Sequence, residues 1–294
     1  MLDFILAWHL FTLPVQESAS ILQIENEQQE LLATVERSTA FQSIQDLLLV
    51  DRQKLDQLKE MLKKHVLKPP ENAKLLNDGT IQPGNAGRVL DEQDFEQQYL
   101  TFLYQGNFNK IQVSVKPTYP KVTSEMISEI KDRRISSYVT FYPEHNKERT
   151  WNIKLAAKAI DSYVVFPGER FSFNEVVGER TEAKGYERAP VIIKGEFAED
   201  VGGGICQVSS TLFNAVNLQG IEIVERYAHS RHVPYVPKGK DATVSWNGPD
   251  FVFKNTYNHP LLIKATAYNG RMAIHIYTAT DAQYTAESFM GRAW

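Results

Sequence analysis

Apolar and polar positions keep two different rhythms along the chain, and the switch between them divides it. From 21 to 35, ILQIENEQQELLATV sets two apolar runs around a polar turn, which suits a β-hairpin, with a short helix as the other reading. Over 47–66 apolar residues recur at Leu48, Leu55, Leu58, Met61, Leu62 and Val66, the three-and-four spacing of an amphipathic helix that Pro69 and Pro70 stop. Turn chemistry follows at Asp78-Gly79 and Pro83-Gly84, then a helix over 91–104 closed by Gly106, then the alternating strand KIQVSVKP. These pieces predict a small α+β unit, with Pro117 to Pro120 at its edge.

Beyond Thr123 the pattern predicts a short helix over 124–133, a strand over 136–142 and a helix over 150–160. The remainder is strand-like: YVVFPGERFSFN, TVSW, FVFKNTY, LLIKATAY and MAIHIY, separated by Gly, Pro and Asn turns. One helix interrupts these strands, in GGGICQVSSTLFNAVNLQG, with Val208, Leu212, Phe213 and Val216 on its apolar face and Gly220 as its stop. The expected architecture is α+β: an apolar N-terminal segment over 1–20, a small α+β domain over 21–122 and a strand-rich α+β domain over 123–294.

Composition narrows the function classes. With 294 residues, 43% of them hydrophobic and 23% charged, the chain can bury a full core and does not have the makeup of a disordered segment. A net charge of −4, with Lys and Arg never running beyond pairs, argues against a nucleic-acid partner. The segment MLDFILAWHLFTLPV is signal-like but interrupted by Asp3 and His9, with no Lys or Arg before Arg37, and it is too short to span a bilayer. An export signal or membrane anchor is one expectation for it, an amphipathic or buried segment a second, and a mis-set or trimmed start a third.

The single cysteine, Cys206, follows Gly202, Gly203 and Gly204 and falls in the first turn of the expected helix. It cannot form an internal disulfide, which leaves the redox compartment open. A helix N-terminus presents unpaired N–H groups and about half a positive charge, which stabilise a thiolate. Glycines without side chains offer room for a substrate carbonyl, and backbone donors near Cys206, with Gln207 as a further amide donor, offer an oxyanion site. A nucleophilic thiol also needs a base, and ERYAHSRH supplies His229 and His232. Asp241 can orient an imidazole, while Arg226 or Arg231 can hold a substrate carboxylate.

Spacing leaves open which histidine serves. The same cysteine also reads as a small buried hydrophobe. Zinc on Cys206, His229, His232 and Asp241 would rest on a weak His-x-x-His pattern, and no metal is expected. A phosphate loop lacks its Lys-Ser/Thr.

Four consecutive stretches, FPGERFSFNEVVGERTEAKGY, VGGGICQVSSTLFNAV, ERYAHSRHVPYVPKGKDATV and DFVFKNTYNHPLLI, resemble the VanW family in the same order over residues 150–264. The stretch KPPENAKLLNDGTIQPGNAGRVLDE more weakly resembles the peptidoglycan-binding domain that often precedes VanW domains. The resemblance implies a bacterial cell-envelope protein outside the cytoplasm, linked by the family name to glycopeptide resistance. It implies a cysteine acyltransferase of L,D-transpeptidase type acting on peptidoglycan stem peptides without a cofactor. Cys206 would be the nucleophile and His229 or His232 the base, with Gly203, Gly204, Gln207 and Ser209 shaping the acyl site. The chain lacks the Ser-His-Gly-x-x-x-Cys pattern of the better-known L,D-transpeptidases, so their geometry does not transfer. The alternative is a wall-binding accessory protein in which the glycine turn is structural.

Overall fold

The computed structural model describes residues 20–44, 47–193 and 196–284. Apart from Ser20, the apolar segment over 1–20 lies outside the described residues. Among the described residues no helix is long and apolar enough to cross a membrane. The architecture is α+β, divided into two compact units: Met1–Glu71 with Asn85–Pro120, and Asn72–Gly84 with Lys121–Trp294.

In the first unit Ile21–Glu25 and Leu31–Glu36 form the expected antiparallel hairpin, and Lys110–Gln112 adds a parallel strand beside Ile21–Glu25. Helix α1 spans Arg52–Val66, five residues shorter at its start than the periodicity predicts. The carboxylate of Asp51 accepts the Lys54 N–H at 3.1 Å and starts the helix there, while Leu47–Val50 pairs as a strand with Phe41–Ile44. Helix α2, Glu92–Gln105, is capped by Asp91 and closed by Gly106 in the left-handed conformation, as the local signals predict. KIQVSVKP does not form one strand: Lys110–Gln112 and Val115–Thr118 join different sheets. Leu22, Ile24, Leu55, Leu62, Phe95 and Phe102 make a fully buried core.

The second unit takes in the small hairpin of Lys74–Leu75 and Ile81–Gln82 through contacts distant in sequence. Ala73 N–H donates to Val122 O at 3.0 Å, Ser162 Oγ donates to Leu75 O at 3.0 Å, and Leu75 packs with Ile127 and Ile130 of helix α3, Ser124–Ile130. A four-stranded antiparallel sheet forms the body, in the order Arg133–Phe141, Arg271–Thr278, Leu261–Tyr268, Tyr163–Val165. Helix α4, Lys147–Ile160, lies against Leu261–Tyr268 and is followed by the short helix α5, Phe173–Val177. A second sheet orders Arg170–Ser172, Val252–Asn255 and Ile221–Glu225. The hairpin of Arg188–Ile193 and Glu196–Val201, which the sequence patterns do not predict, leads into the glycine turn.

Helix α6, Ile205–Val216, packs on the four-stranded sheet and on α4. Its sequence predicts one apolar face, yet every residue but Cys206 and Asn214 is buried. Burial of its polar residues is supported by internal bonds: Thr211 Oγ1 donates to Gln207 O at 2.6 Å and meets Thr140 Oγ1 at 2.8 Å, and Ser209 Oγ donates to Ala242 O at 2.6 Å. The helix ends at Val216 with Asn217 as its cap, ahead of the expected stop. Gly220 sits in the next turn at φ +83°, where a Cβ would stand 2.4 Å from the Tyr257 ring. TVSW is a loop rather than a strand, making an isolated bridge between Thr243 and Tyr227.

Candidate active site

The site begins at the turn Gly202-Gly203-Gly204. Gly202 and Gly204 hold φ of +88° and +104°, a region that favours glycine. The turn is locked from below by Asn152 of α4, fully buried, whose Nδ2 donates to Gly203 O at 3.0 Å and Glu187 O at 2.8 Å while its Oδ1 accepts the Glu187 N–H at 2.8 Å.

The absent side chains leave room for protein rather than for a ligand. A Cβ on Gly203 would lie 2.5 Å from Ala189 O, one on Gly204 would lie 2.8 Å from Arg149 Cγ, and one on Gly202 would lie 3.2 Å from Arg180 Cβ. This replaces the expectation that the Gly203 and Gly204 faces receive a substrate. Of the N–H groups at the helix start, that of Ile205 donates to Gly202 O at 3.2 Å and that of Gln207 to Gly204 O at 3.0 Å, which leaves the Cys206 N–H as the donor such a turn can offer.

Cys206 is the second residue of α6 and is partly buried; its S–H donates to Val244 O at 3.5 Å, and its sulfur lies 3.8 Å from Thr243 Oγ1, where either atom can be the donor. Asp241, 6% exposed, gathers His229: its Oδ2 accepts from the backbone N–H at 2.6 Å and meets ring Nδ1 at 2.7 Å. With Nδ1 taken, Nε2 is the ring nitrogen left for the sulfur. The loop that carries both is closed by Arg226, whose Nη1 donates to Gly239 O at 3.0 Å and Asp241 O at 2.8 Å and whose guanidinium lies 4.9 Å over the Phe213 ring.

Charge coupling orders the three groups. Burial pushes the Cys206 thiol up, but the hydrogen bond and positive charge of His229, aided by Val244 and Thr243, carry it below its ordinary value. Burial pushes His229 down, but Cys206 and Asp241 together raise it above its ordinary value. The Asp241 carboxyl is raised by burial and then held below the usual carboxylate range by the N–H and ring of His229. The arrangement favours thiolate, imidazolium and carboxylate in a row. Tyr235 feels the same charge: burial first, then Cys206, push its phenol far above the ordinary value, so it stays protonated.

The structure thus brings Cys206, His229 and Asp241 together and sets other expected residues apart. His232 is exposed, and Asp241 orients His229 rather than His232. Arg231 is exposed on the same loop. Gln207 is not a spare donor: its Nε2 already donates to Thr140 Oγ1 at 2.9 Å and Phe141 O at 3.0 Å, and its Oε1 accepts from Arg149 Nη2 at 2.7 Å. The Ser209 hydroxyl is spent on Cys206 O and Ala242 O, and Arg226 closes a loop rather than presenting a carboxylate fork. Among the described residues no group of three or more His, Cys, Asp or Glu side chains is placed to hold a metal ion. Thr243, which meets the Cys206 sulfur, and Arg149, Arg180 and Tyr235, which couple to it electrostatically, were not singled out in the sequence: Arg149 lies outside the family-like stretches, and the other three lie inside them at no spacing that ties them to Cys206.

Fold and site together define the class: an α+β protein with a Cys–His–Asp constellation at the N-terminus of a buried helix, seated on a glycine turn. The chain belongs to the VanW family. Residues 148–277 match the family described as "VanW like protein". The chain is 48% identical to the uncharacterized protein YoaR of Bacillus subtilis (strain 168) over 264 residues, 90% of this chain and 86% of that protein. It is 30% identical to the vancomycin B-type resistance protein VanW of Enterococcus faecalis (strain ATCC 700802 / V583) over 116 residues, 38% of this chain and 42% of that protein. No solved structure matches it.

Proposed function

We propose that the protein is a cysteine-dependent acyltransferase of L,D-transpeptidase type that acts on peptidoglycan stem peptides in the extracytoplasmic cell envelope. The observation that carries the reading is the oriented pair: His229, fixed by Asp241, coupled to a thiol at a helix N-terminus. Family membership and the name of the vancomycin-resistance relative support a cell-wall setting and a link to glycopeptide resistance.

In this reading the Cys206 thiolate attacks the carbonyl of the amide that precedes a terminal D-residue. The carbonyl electrons move to an oxyanion beside the Cys206 N–H at the start of α6, a type of interaction whose loss typically costs about 3–4 kcal/mol of barrier. His229 gives its proton to the leaving nitrogen as the C–N bond breaks and a thioester forms. An amine on a neighbouring stem then attacks the thioester, His229 takes the amine's proton, and the thiolate is restored; water in its place gives a carboxypeptidase. Proton transfer of this kind contributes typically about 100- to 10,000-fold. Residues 123–294 would be the catalytic domain, and residues 21–122 would hold the wall.

The test is incubation of the full chain with tetrapeptide-containing muropeptides at neutral pH. Release of terminal D-Ala or formation of cross-linked dimers, abolished by Cys206→Ala, is the expected result. Product formation unchanged in Cys206→Ala would remove the enzyme reading, and retention on the sacculus without product would favour a wall-binding accessory protein.

A further inference from the structure

Two half-buried arginines pack against the glycine turn that leads into the Cys206 helix, and among the described residues neither has an acid to pair with. The stem of Arg180 packs on Gly202 and the stem of Arg149 on Gly204, occupying the space that side chains at those positions would claim. Arg149 Nη2 donates to Gln207 Oε1 at 2.7 Å, and Arg180 Nη2 donates to Asn174 Oδ1 at 2.7 Å with its guanidinium 5.9 Å over the Phe173 ring. In both, Nη1 is buried and has no hydrogen-bond partner. The hydroxyl of Tyr142, a residue 5% exposed whose ring couples to Arg149, is a third buried group without a partner.

Among the described residues neither arginine forms an ion pair. Asp250 couples weakly to Arg180 but spends its oxygens on Ser172 Oγ and on the N–H groups of Asn174 and Phe251. Burial pulls both guanidinium groups below their ordinary value, and the negative charge of Cys206 opposes that shift in each.

A buried cation left without a counter-charge is costly, and orphaned guanidinium donors are cheapest to keep where a ligand completes them. The Cys206–His229–Asp241 row carries two negative charges and one positive, against the two positive charges of the arginines. We propose that Arg149 and Arg180, held at the glycine turn that leads into the Cys206 helix, form the receptor for the free α-carboxylate of the substrate's terminal residue. The assignment rests on the acyl-transfer reading, in which the leaving residue carries that carboxylate next to the bond under attack. Guanidinium suits it because its planar donors match carboxylate geometry and stay charged when buried. The glycine turn then serves electrostatics as well as conformation, since a side chain at Gly202 or Gly204 would displace the stem of Arg180 or Arg149.

The test uses the full chain carrying Cys206→Ala, so that no turnover intervenes, and isothermal titration with a stem tetrapeptide ending in a free D-Ala carboxylate or in its C-terminal amide. The acid should bind at least about tenfold more tightly than the amide, the scale of one charge-assisted hydrogen bond. Adding Arg149→Gln or Arg180→Gln should collapse that ratio toward unity, with Arg→Lys restoring part of it.

Equal binding of acid and amide, or binding of neither, overturns the receptor, and this comparison needs no arginine variant to fold. A ratio that persists in both glutamine variants overturns it as well. The two readings separate cleanly. If Cys206-containing protein releases D-Ala and the amide reacts as fast as the acid, the receptor falls while acyl transfer stands; if the acid preference holds and nothing is released, the reverse is true.

Discussion

Replacing Asp241 with Asn removes one charge while keeping the shape of the group that holds His229. Two donors converge on Asp241 Oδ2, the His229 backbone N–H at 2.6 Å and ring Nδ1 at 2.7 Å, and the carboxylate is 6% exposed. Charge-assisted hydrogen bonds contribute about 1.5–3 kcal/mol each, and Asn retains a neutral acceptor, so the expected loss is about 2–3 kcal/mol of unfolding free energy at pH 7. The sign with pH follows from the directions of the shifts. Asp241 titrates below its ordinary value in the fold, so its contribution is present above its unfolded pKa and fades as pH falls through the folded one. His229 is raised, so its share is present below its unfolded pKa and fades as pH rises through the folded one.

The stability gap between wild type and Asp241→Asn should therefore narrow on acidification, and urea unfolding at a series of pH values measures it. The thiol reports the same change. With the carboxylate gone, the imidazolium is held less tightly, so His229 releases its proton earlier and Cys206 loses part of what holds it ionised. The pH profile of iodoacetamide alkylation at Cys206, read by mass spectrometry, should move to higher pH in the variant. A profile that overlays wild type, together with a stability gap that does not vary with pH, would refute the charge coupling among Asp241, His229 and Cys206.

Other outcomes follow from the same contacts. His229→Gln should raise the alkylation midpoint of Cys206, whereas the same change at exposed His232 should leave it in place; parallel mass-spectrometric time courses compare them. Gly203→Ala forces a Cβ to 2.5 Å from the Ala189 carbonyl, a backbone neighbour that cannot swing aside, and should lower thermal stability by about 1–3 kcal/mol. Asn152→Ala removes two donated bonds and one accepted bond from the buried underside of the turn, and a loss of roughly 2–4 kcal/mol in chemical denaturation is expected.

Elements set by neighbours in sequence were legible without the structure. Helix α2 begins at Asp91 and ends at Gly106 because a carboxylate cap and a left-handed glycine act within one turn of the residues they serve. The first hairpin, the strands of the larger sheet and the helix carrying Cys206 follow from periods of two and of 3.6 in the same way. Departures arose where a cap overrode a period, as at Asp51, or where an apolar run was recruited by a distant partner, as at Leu47–Val50.

The sequence by itself determined the α+β class, the family resemblance, and a lone thiol at a helix start with two histidines downstream. Only the tertiary structure decided between those histidines, because the choice depends on which ring the buried Asp241 can reach. It also decided what the glycines are for, since the atoms crowding Gly203 come from Ala189 and those crowding Gly202 and Gly204 include Arg180 and Arg149, contributed by other segments of the chain. Local rules set backbone conformation, whereas the charge around a sulfur is a sum over whatever the fold gathers within a few ångströms, and no spacing in one segment encodes that sum.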